Sequence, residues 1–238
     1  MKKVLVIIPC YNEEANLERV VARLHEVAPW ADYLIVNDCS TDSSVEVCRK
    51  NGFSYLNQAV NLGIGGTVQT GYLYARDHGY DATVQLDGDG QHDPAYLANV
   101  LEPVLDGKLD MCVGSRFITK EGFQTSLPRR MGINILSWII HLLCGVRVRD
   151  TTSGFRACGK ELTAFFADHY AQDYPEPEAI LTAVLNGFKV GEVPVVMAER
   201  LGGKSSISAL RSAYYMVKVC VALVVFRVTA DHRGEVRT

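Results

Sequence analysis

The chain has 238 residues, and 48% of them are hydrophobic, which is enough for one large α/β domain with a sizeable core. Its formal net charge is −3, and without a basic excess the composition does not indicate a nucleic-acid partner. The seven cysteines are odd in number and form no CxxC pair, which predicts reduced thiols in a cytosolic protein.

The first half of the chain alternates short apolar runs with stretches of helical periodicity. The first run ends at Pro9 after five apolar residues, so it fits a buried strand better than a signal peptide. Asn12 is placed to cap the following helix. Strands are predicted at 4–8, 33–36, 53–56, 82–86 and 111–113, with helices at 14–27, 43–50, 63–78 and 94–106. This order predicts an α/β fold with a mostly parallel sheet and helices on both faces.

The second half of the chain is less regular. The predicted elements are a helix at about 130–143, a polar loop at 150–156, a helix after the segment 174–178 and ending at Asn186, a strand at 190–196, and a flexible basic loop at 202–206 before a terminal helix. The two apolar stretches in this half, 133–146 and 214–228, fall short of the roughly 20 apolar residues that a membrane-spanning helix needs.

Four polar clusters directly follow predicted strands. They are Tyr11-Asn12-Glu13, Asn37-Asp38, the segment 87–91, and Ser115-Arg116. Ligands of parallel α/β sheets bind at the carboxyl ends of the strands. The four clusters therefore predict one shared crevice.

The segment 87–91 has the composition of a divalent-metal site. In an extended chain Asp87, Asp89 and Gln91 project to the same side, and their oxygens together with substrate phosphates suit Mg²⁺ or Mn²⁺. The glycines between them allow a bulky ligand to approach. An EF-hand is disfavoured because His92 and Ala98 occupy its glycine and glutamate positions. An ordinary acidic turn remains an alternative on these residues alone.

The glycines at 63–66 match a dinucleotide-binding fingerprint only in part. The third glycine of that motif would fall at Val68, and the loop follows the third strand instead of the first. A nicotinamide site is therefore disfavoured, but a helix N-terminus facing the crevice would favour an anionic ligand.

Taken together, these segments resemble the family 2 glycosyltransferases, and most closely the dolichyl- or polyprenyl-phosphate sugar synthases. The residues that carry the resemblance are Pro9-Cys10-Tyr11-Asn12-Glu13-Glu14, the segments 36–42 and 87–94, Gly114-Ser115-Arg116, and the segment 150–156 (Asp-Thr-Thr-Ser-Gly-Phe-Arg). The resemblance implies a GT-A fold, with a Rossmann-like sheet, over residues 1–206. Residues 207–238 are predicted to form a separate apolar and basic helix that binds a membrane or a partner.

The resemblance also implies an inverting transfer from a nucleotide-diphosphate sugar, with UDP preferred and GDP and dTDP left open. The residues implied to hold the base and ribose are Pro9, Tyr11, Glu13, Val36 and Asp38. Asp87 and Gly88 would lie beside the nucleotide, while Asp89 and Gln91 would ligate Mg²⁺ or Mn²⁺. Lys204 would reach the β-phosphate, although it stands two positions earlier than the family pattern places its lysine.

Two acceptors remain open. In the lipid-phosphate subgroup arginines bind the acceptor phosphate, which implies this role for Arg116, and more loosely for Arg129 or Arg130. An ionised phosphate attacks without a base, whereas a hydroxyl of a lipid-linked or polymeric glycan needs one. Glu178 is the first candidate base and Glu176 the second, although both also suit a solvated helix start. A nucleotide-sugar sensor without turnover is a third, remote hypothesis.

A polyprenyl acceptor requires contact with a bilayer. Apolar residues dominate 133–143 and 214–226, and Arg211, Lys218, Arg227 and Arg233 accompany the second stretch. This combination predicts a peripheral enzyme on the cytoplasmic face of the cell membrane. Burial in the core, an oligomer interface or a small membrane-protein partner are the alternatives for these apolar residues.

Overall fold

The computed structural model describes residues 2–198 and 209–232. Its strands are β1 (Val4–Cys10), β2 (Asp32–Asn37), β3 (Tyr55–Asn57), β4 (Ala82–Gln85), β5 (Met111–Ser115), β6 (Arg156–Gly159) and β7 (Val190–Pro194). Its helices are α1 (Leu17–Val27), α2 (Ser44–Asn51), α3 (Gly63–Asp77), α4 (Leu97–Leu105), α5 (Leu127–Cys144), α6 (Lys160–Asp168), α7 (Pro175–Leu185) and α8 (Ala209–His232).

The strands form one seven-stranded sheet in the order β3-β2-β1-β4-β6-β5-β7. All neighbouring strands are parallel except β6, which is antiparallel to both β4 and β5. The predicted mixed α/β fold with a mostly parallel sheet is confirmed. The carboxyl ends of β1, β2 and β4 lie side by side, and this edge positions the candidate site.

The sheet is covered on both faces, which explains the continuous apolar run of β1. Leu5 and Ile7 point to the layer that contains α3, α6 and α7, whereas Val6 and Ile8 point to the layer of α1 and α4. Every residue of β1 is buried. A strand with helices on both sides buries both sets of alternating side chains.

The structure adds two elements that the sequence pattern did not predict, β6 and α6. Strand β6 has only four residues and begins with the fully buried Arg156, so it carries no apolar alternation. It begins at the last residue of the predicted polar loop. The predicted cap of α1 was wrong, because α1 begins at Leu17 and Asn12 lies earlier, in a turn with a φ of 57°.

Helix α8 packs alongside α5 in the same direction. A side chain at Gly132 would lie 2.6 Å from Met216, and the Arg227 Nε donates to the Leu143 carbonyl at 3.2 Å. Val219 and Leu223 are buried in the core. The division at residue 206 stays a prediction because it falls outside the described residues. None of the helices within 2–198 and 209–232 is long and apolar enough to span a membrane.

Candidate active site

A cavity of about 400 Å³ lies at the carboxyl ends of β1, β2 and β4. Its lining residues are Pro9, Cys10, Tyr11, Glu13, Asp38, Asn61, Gly63, Ile64, Thr67, Asp87, Gly88 and Asp89. The cavity therefore brings together three of the four polar clusters predicted to share a crevice. The fourth cluster, at Ser115-Arg116, is not part of this lining.

The loops after β1 and β2 are tied together by side chains that cap main-chain groups. The Asn12 Oδ1 accepts from the Thr41 N–H at 2.8 Å, and the Ser40 Oγ accepts from the Asn12 N–H at 2.9 Å. The Ser44 Oγ accepts from the Glu13 N–H at 3.0 Å. These bonds leave Tyr11 half exposed at the mouth of the cavity, where its ring is available to a ligand.

Asp38 caps helix α3. Its two carboxylate oxygens accept from the Leu62 N–H at 2.6 Å and the Gly63 N–H at 3.0 Å. The prediction that this helix N-terminus awaits an anionic ligand is therefore corrected, because the carboxylate of Asp38 already lies there. A nucleotide contact of Asp38 stays a prediction, and Asp38 is 4% exposed.

Val36 does not line the cavity. Its side chain is fully buried in the core layer beneath α3, because successive residues of β2 point to opposite faces of the sheet. A contact of Val36 with the base or ribose would therefore have to come from its main chain, and its implied role stays a prediction.

The segment 87–91 is a turn and not an extended strand. Gly90 has a φ of 75°, and the Asp89 Oδ1 accepts from the Gln91 N–H at 3.0 Å. The expected alternation along an extended chain was wrong because the glycine pair allows the chain to reverse. Asp87 and Asp89 still meet at the cavity wall, whereas Gln91 is not among its lining residues.

Asp87 is held by residues that the sequence pattern did not single out. Its Oδ1 accepts from the Gln85 Nε2 at 2.9 Å, and its main-chain N–H donates to the His92 Nδ1 at 3.1 Å. A Cβ atom at residue 154 would lie 2.9 and 3.0 Å from the two carboxylate oxygens, so this position requires Gly154. The only sequence signal for His92 and Gly154 was their place inside the matching motifs.

The acidic turn fits a hard divalent cation. Two carboxylates on one cavity wall are the oxygen donors that Mg²⁺ and Mn²⁺ prefer, and such ions take further ligands from phosphates and water. Across the part of the chain that the structure describes, no group of three His, Cys, Asp or Glu side chains forms a complete metal cage.

Arg116 is engaged inside the protein. Its Nε and Nη2 donate to the two oxygens of Asp150, at 2.7 and 3.0 Å, and both side chains are nearly fully buried. This bidentate pair occupies one edge of the guanidinium. The predicted contact of Arg116 with an acceptor phosphate stays a prediction.

The other predicted acceptor residues lie at the start of α5. Arg129 is exposed, while Arg130 lies 3.5 Å above the ring of Phe117, and burial lowers the pKa of Arg130. The Arg130 Nη1 also meets the carbonyl of Arg149. Arg149, which the sequence pattern did not single out, adds a positive charge near Arg130 and itself pairs with Glu192, with Nε 3.7 Å from a carboxylate oxygen.

The two candidate bases differ in their surroundings. Burial, and then Asp173, raise the pKa of Glu178 to about 7. Burial also raises the pKa of Glu176, while Arg156 lowers it and Asp87 raises it. Glu176 is therefore within electrostatic reach of the acidic turn, and the choice between the two bases stays a prediction. Neither lines the cavity, and Lys204 lies outside the described residues.

Residues 5–170 match the family model for Glycosyl transferase family 2. The chain belongs to glycosyltransferase family 2. It is an enzyme of the sugar-transferring class, as the resemblance predicted.

Relatives within glycosyltransferase family 2 include lipid-phosphate enzymes. The chain is 29% identical to polyprenol monophosphomannose synthase of Mycolicibacterium smegmatis, over 92% of this chain and 86% of that one. It is 31% identical to UDP-N-acetylglucosamine–dolichyl-phosphate N-acetylglucosaminyltransferase of Methanococcus voltae, over 82% and 85%. The enzyme is thus related to polyprenyl-phosphate sugar synthases.

A solved structure confirms the GT-A fold. Glucosyl-3-phosphoglycerate synthase of Mycobacterium tuberculosis, in complex with Mn²⁺, UDP and glucosyl-3-phosphoglycerate, superposes with a TM-score of 0.68 at 18% identity. The match covers 95% of this chain and 80% of that one.

Proposed function

We propose that this enzyme transfers a sugar, with inversion, from a nucleotide-diphosphate sugar to a polyprenyl phosphate at a membrane surface. The observation that carries the proposal is one cavity whose lining includes Tyr11 and Asp38 together with the acidic pair Asp87 and Asp89. The relatives named for polyprenol and dolichyl phosphate support the acceptor.

The donor half of the cavity suits a nucleotide diphosphate. Tyr11 and Ile64 offer apolar surface for a base, and the acidic turn lines the same cavity. A bound Mg²⁺ or Mn²⁺ would neutralise charge on the departing diphosphate, with Asp89 and Asp87 as its protein ligands. The Mn²⁺ and UDP in the structural neighbour support this pairing, and UDP is the preferred nucleotide.

The acceptor phosphate would attack directly. One of its ionised oxygens forms a bond to the anomeric carbon while the bond from that carbon to the diphosphate oxygen breaks, which inverts the configuration. Arg116, Arg129 and Arg130 are the proposed acceptor residues, and Arg149 adds a positive charge near Arg130. The donor diphosphate leaves with the electron pair of the broken bond. No general base is required, because the attacking phosphate oxygen carries no proton.

Transfer assays with a labelled nucleotide sugar, Mn²⁺ and a polyprenyl phosphate test this function. Asp89→Ala should lower kcat/KM by about a hundredfold or more, because it removes a cavity-facing metal ligand. The exposed Asp106, which pairs with Lys108 on the far side of the fold, is the matched control. Transfer that survives both Asp89→Ala and chelation by EDTA would refute the metal-dependent mechanism.

A hydroxyl of a lipid-linked or polymeric glycan is the alternative acceptor. The pKa of about 7 at Glu178 favours it, since a base works best near the ambient pH. Glu178→Gln and Glu176→Gln should each leave phosphate transfer within about threefold of wild type. A loss of transfer to a hydroxyl acceptor, confined to one of the two variants, would identify the base and favour this alternative.

The membrane contact would involve helix α5. Five large apolar residues, spaced to form one exposed row along it, are Leu127, Met131, Ile135, Trp138 and Leu142. Helix α8 adds Val221, Val224, Val225 and Val228, all exposed. We name these nine residues the apolar ridge. It suits the surface of an anionic bilayer, at the inner face of the cell membrane.

A further inference from the structure

His92 lies behind the acidic turn and is not part of the cavity lining. It is 5% exposed, and its ring stacks on Phe155 with the centroids 5.1 Å apart and the planes within 16°. Its main chain bridges to Met197. The imidazole is therefore packed in one orientation.

That orientation directs both ring nitrogens to Asp87. The Nδ1 accepts from the Asp87 main-chain N–H at 3.1 Å, so this nitrogen carries no proton and the ring proton lies on Nε2. The Nε2 then lies 3.7 Å from the Asp87 Oδ2. The His92 side chain thus holds the main chain of Asp87 at the start of the turn and directs an N–H toward the Asp87 carboxylate.

Two further residues set the position of the Asp87 carboxylate. The Gln85 amide donates to the other carboxylate oxygen, and Gly154 leaves room for both oxygens. We propose that His92 is a positioning residue that, through its acceptor nitrogen, sets the geometry in which Asp87 meets the donor diphosphate and its metal. The inference rests on the proposed function, because it concerns the same acidic turn.

The turn gains from such support because two of its residues are glycines. Gly88 and Gly90 flank Asp89, and glycines leave a chain more conformational freedom than other residues do. The Nδ1 bond joins residues 87 and 92 across these glycines. Its loss would free the main chain of Asp87 while leaving the pleated part of β4 intact.

Calorimetric titration of the purified full chain with UDP and with GDP, each with Mn²⁺, tests the proposal. His92→Phe keeps a ring on Phe155 but has no acceptor, and should weaken nucleotide binding by about tenfold or more. His92→Asn offers an amide oxygen close to the Nδ1 position and should restore binding to within about threefold of wild type. His92→Gln, whose amide reaches the Nε2 position, should bind as weakly as His92→Phe.

The matched control is His78→Phe. His78 also stacks on a ring, Tyr74, and its Nδ1 also contacts a main-chain atom, but it lies at the end of α3 away from the cavity. This variant should bind nucleotide as wild type does. Melting temperatures of all variants distinguish an unfolded protein from a folded one in which Asp87 has lost its position. For folded His92→Phe, the donor KM should rise more than kcat falls.

The outcomes are distinguishable. A folded His92→Phe protein that binds the nucleotide as tightly as wild type would overturn the positioning role alone. So would a folded His92→Asn protein that binds no better than His92→Gln. If wild type binds neither nucleotide with Mn²⁺, the proposed function fails and this inference falls with it.

Discussion

At the scale of single residues, burial decides which charges the candidate site tolerates. Arg116 is buried but paired on two atoms with Asp150, so each charge has a partner. Glu178 is half-buried without a cation among the groups that shift its pKa, and desolvation favours its protonated form. The difference makes Glu178 a residue whose ionisation costs stability.

The sign of that cost follows from the two pKa values of Glu178. The pKa is about 7 in the folded chain and 4.5 ordinarily, so the folded state binds the proton more tightly between these values. Stability contributed by the protonated group is present below about pH 4.5 and is lost as the pH rises through 7. Glu178→Gln should therefore stabilise the protein at pH 8 by about 1–3 kcal/mol, and much less at pH 5.

Urea unfolding at pH 5 and pH 8 measures this difference. Glu46→Gln is the matched control, since Glu46 is also a first-turn glutamate but lies exposed on α2. Its effect should differ by less than about 0.5 kcal/mol between the two pH values. An equal effect of Glu178→Gln at both pH values would show that Glu178 is not desolvated.

At the scale of elements, the features that the sequence predicted are those that depend on short, continuous stretches of residues. Strand β1 is a continuous apolar run, and the polar clusters follow the strands directly, so both the sheet and the crevice were expected. Strand β6 was missed because its four residues include a buried arginine and it pairs antiparallel between distant strands. The partners of Asp38 and Asp87 were also missed, because they are contacts between separate loops.

The Asp38 cap joins two elements, the end of β2 and the start of α3. Asp38→Ala leaves two main-chain donors without their partner and should cost about 2 kcal/mol or more, whereas Asp38→Asn keeps one acceptor and should cost less. Both changes should weaken nucleotide binding, because the cap shapes the cavity wall. Unfolding and calorimetric titrations measure the two effects.

The matched control for this cap is Asp42→Ala. Asp42 also accepts a main-chain N–H at a helix start, that of Ser44, but it does not line the cavity. It should lose stability without losing nucleotide affinity. If Asp38→Ala lowered stability and left affinity unchanged, α3 would be structural and not part of the donor site.

At the scale of the whole molecule, charge is strongly segregated. Residues 122–149 contain four arginines and no carboxylate, and residues 209–230 contain three cationic residues and no carboxylate. Removing these seven positive charges from the total of −3 leaves −10 for the rest of the chain. The two helices of the apolar ridge and the loop that follows α5 are thus the basic part of an acidic protein, which favours an anionic surface over a neutral one.

Vesicle binding tests this orientation with a reporter that the chain already contains. The two tryptophans are Trp30, beside Lys2 on another surface, and Trp138, in the apolar ridge. In a Trp30→Phe background, Trp138 fluorescence should shift to shorter wavelength with vesicles rich in anionic lipid, and the shift should weaken in about 0.5 M salt as charges are screened.

Ile135→Ser together with Leu142→Ser should reduce vesicle binding by about tenfold or more, since each removes apolar area that would enter the bilayer. The exposed pair Val60→Ser and Leu62→Ser, near the start of α3, is the matched control and should bind vesicles as the background does. Equal binding to neutral and anionic vesicles would refute the preference for an anionic surface. No binding to either, while polyprenyl-phosphate transfer persists in detergent, would show that the ridge faces a protein partner or a second copy instead.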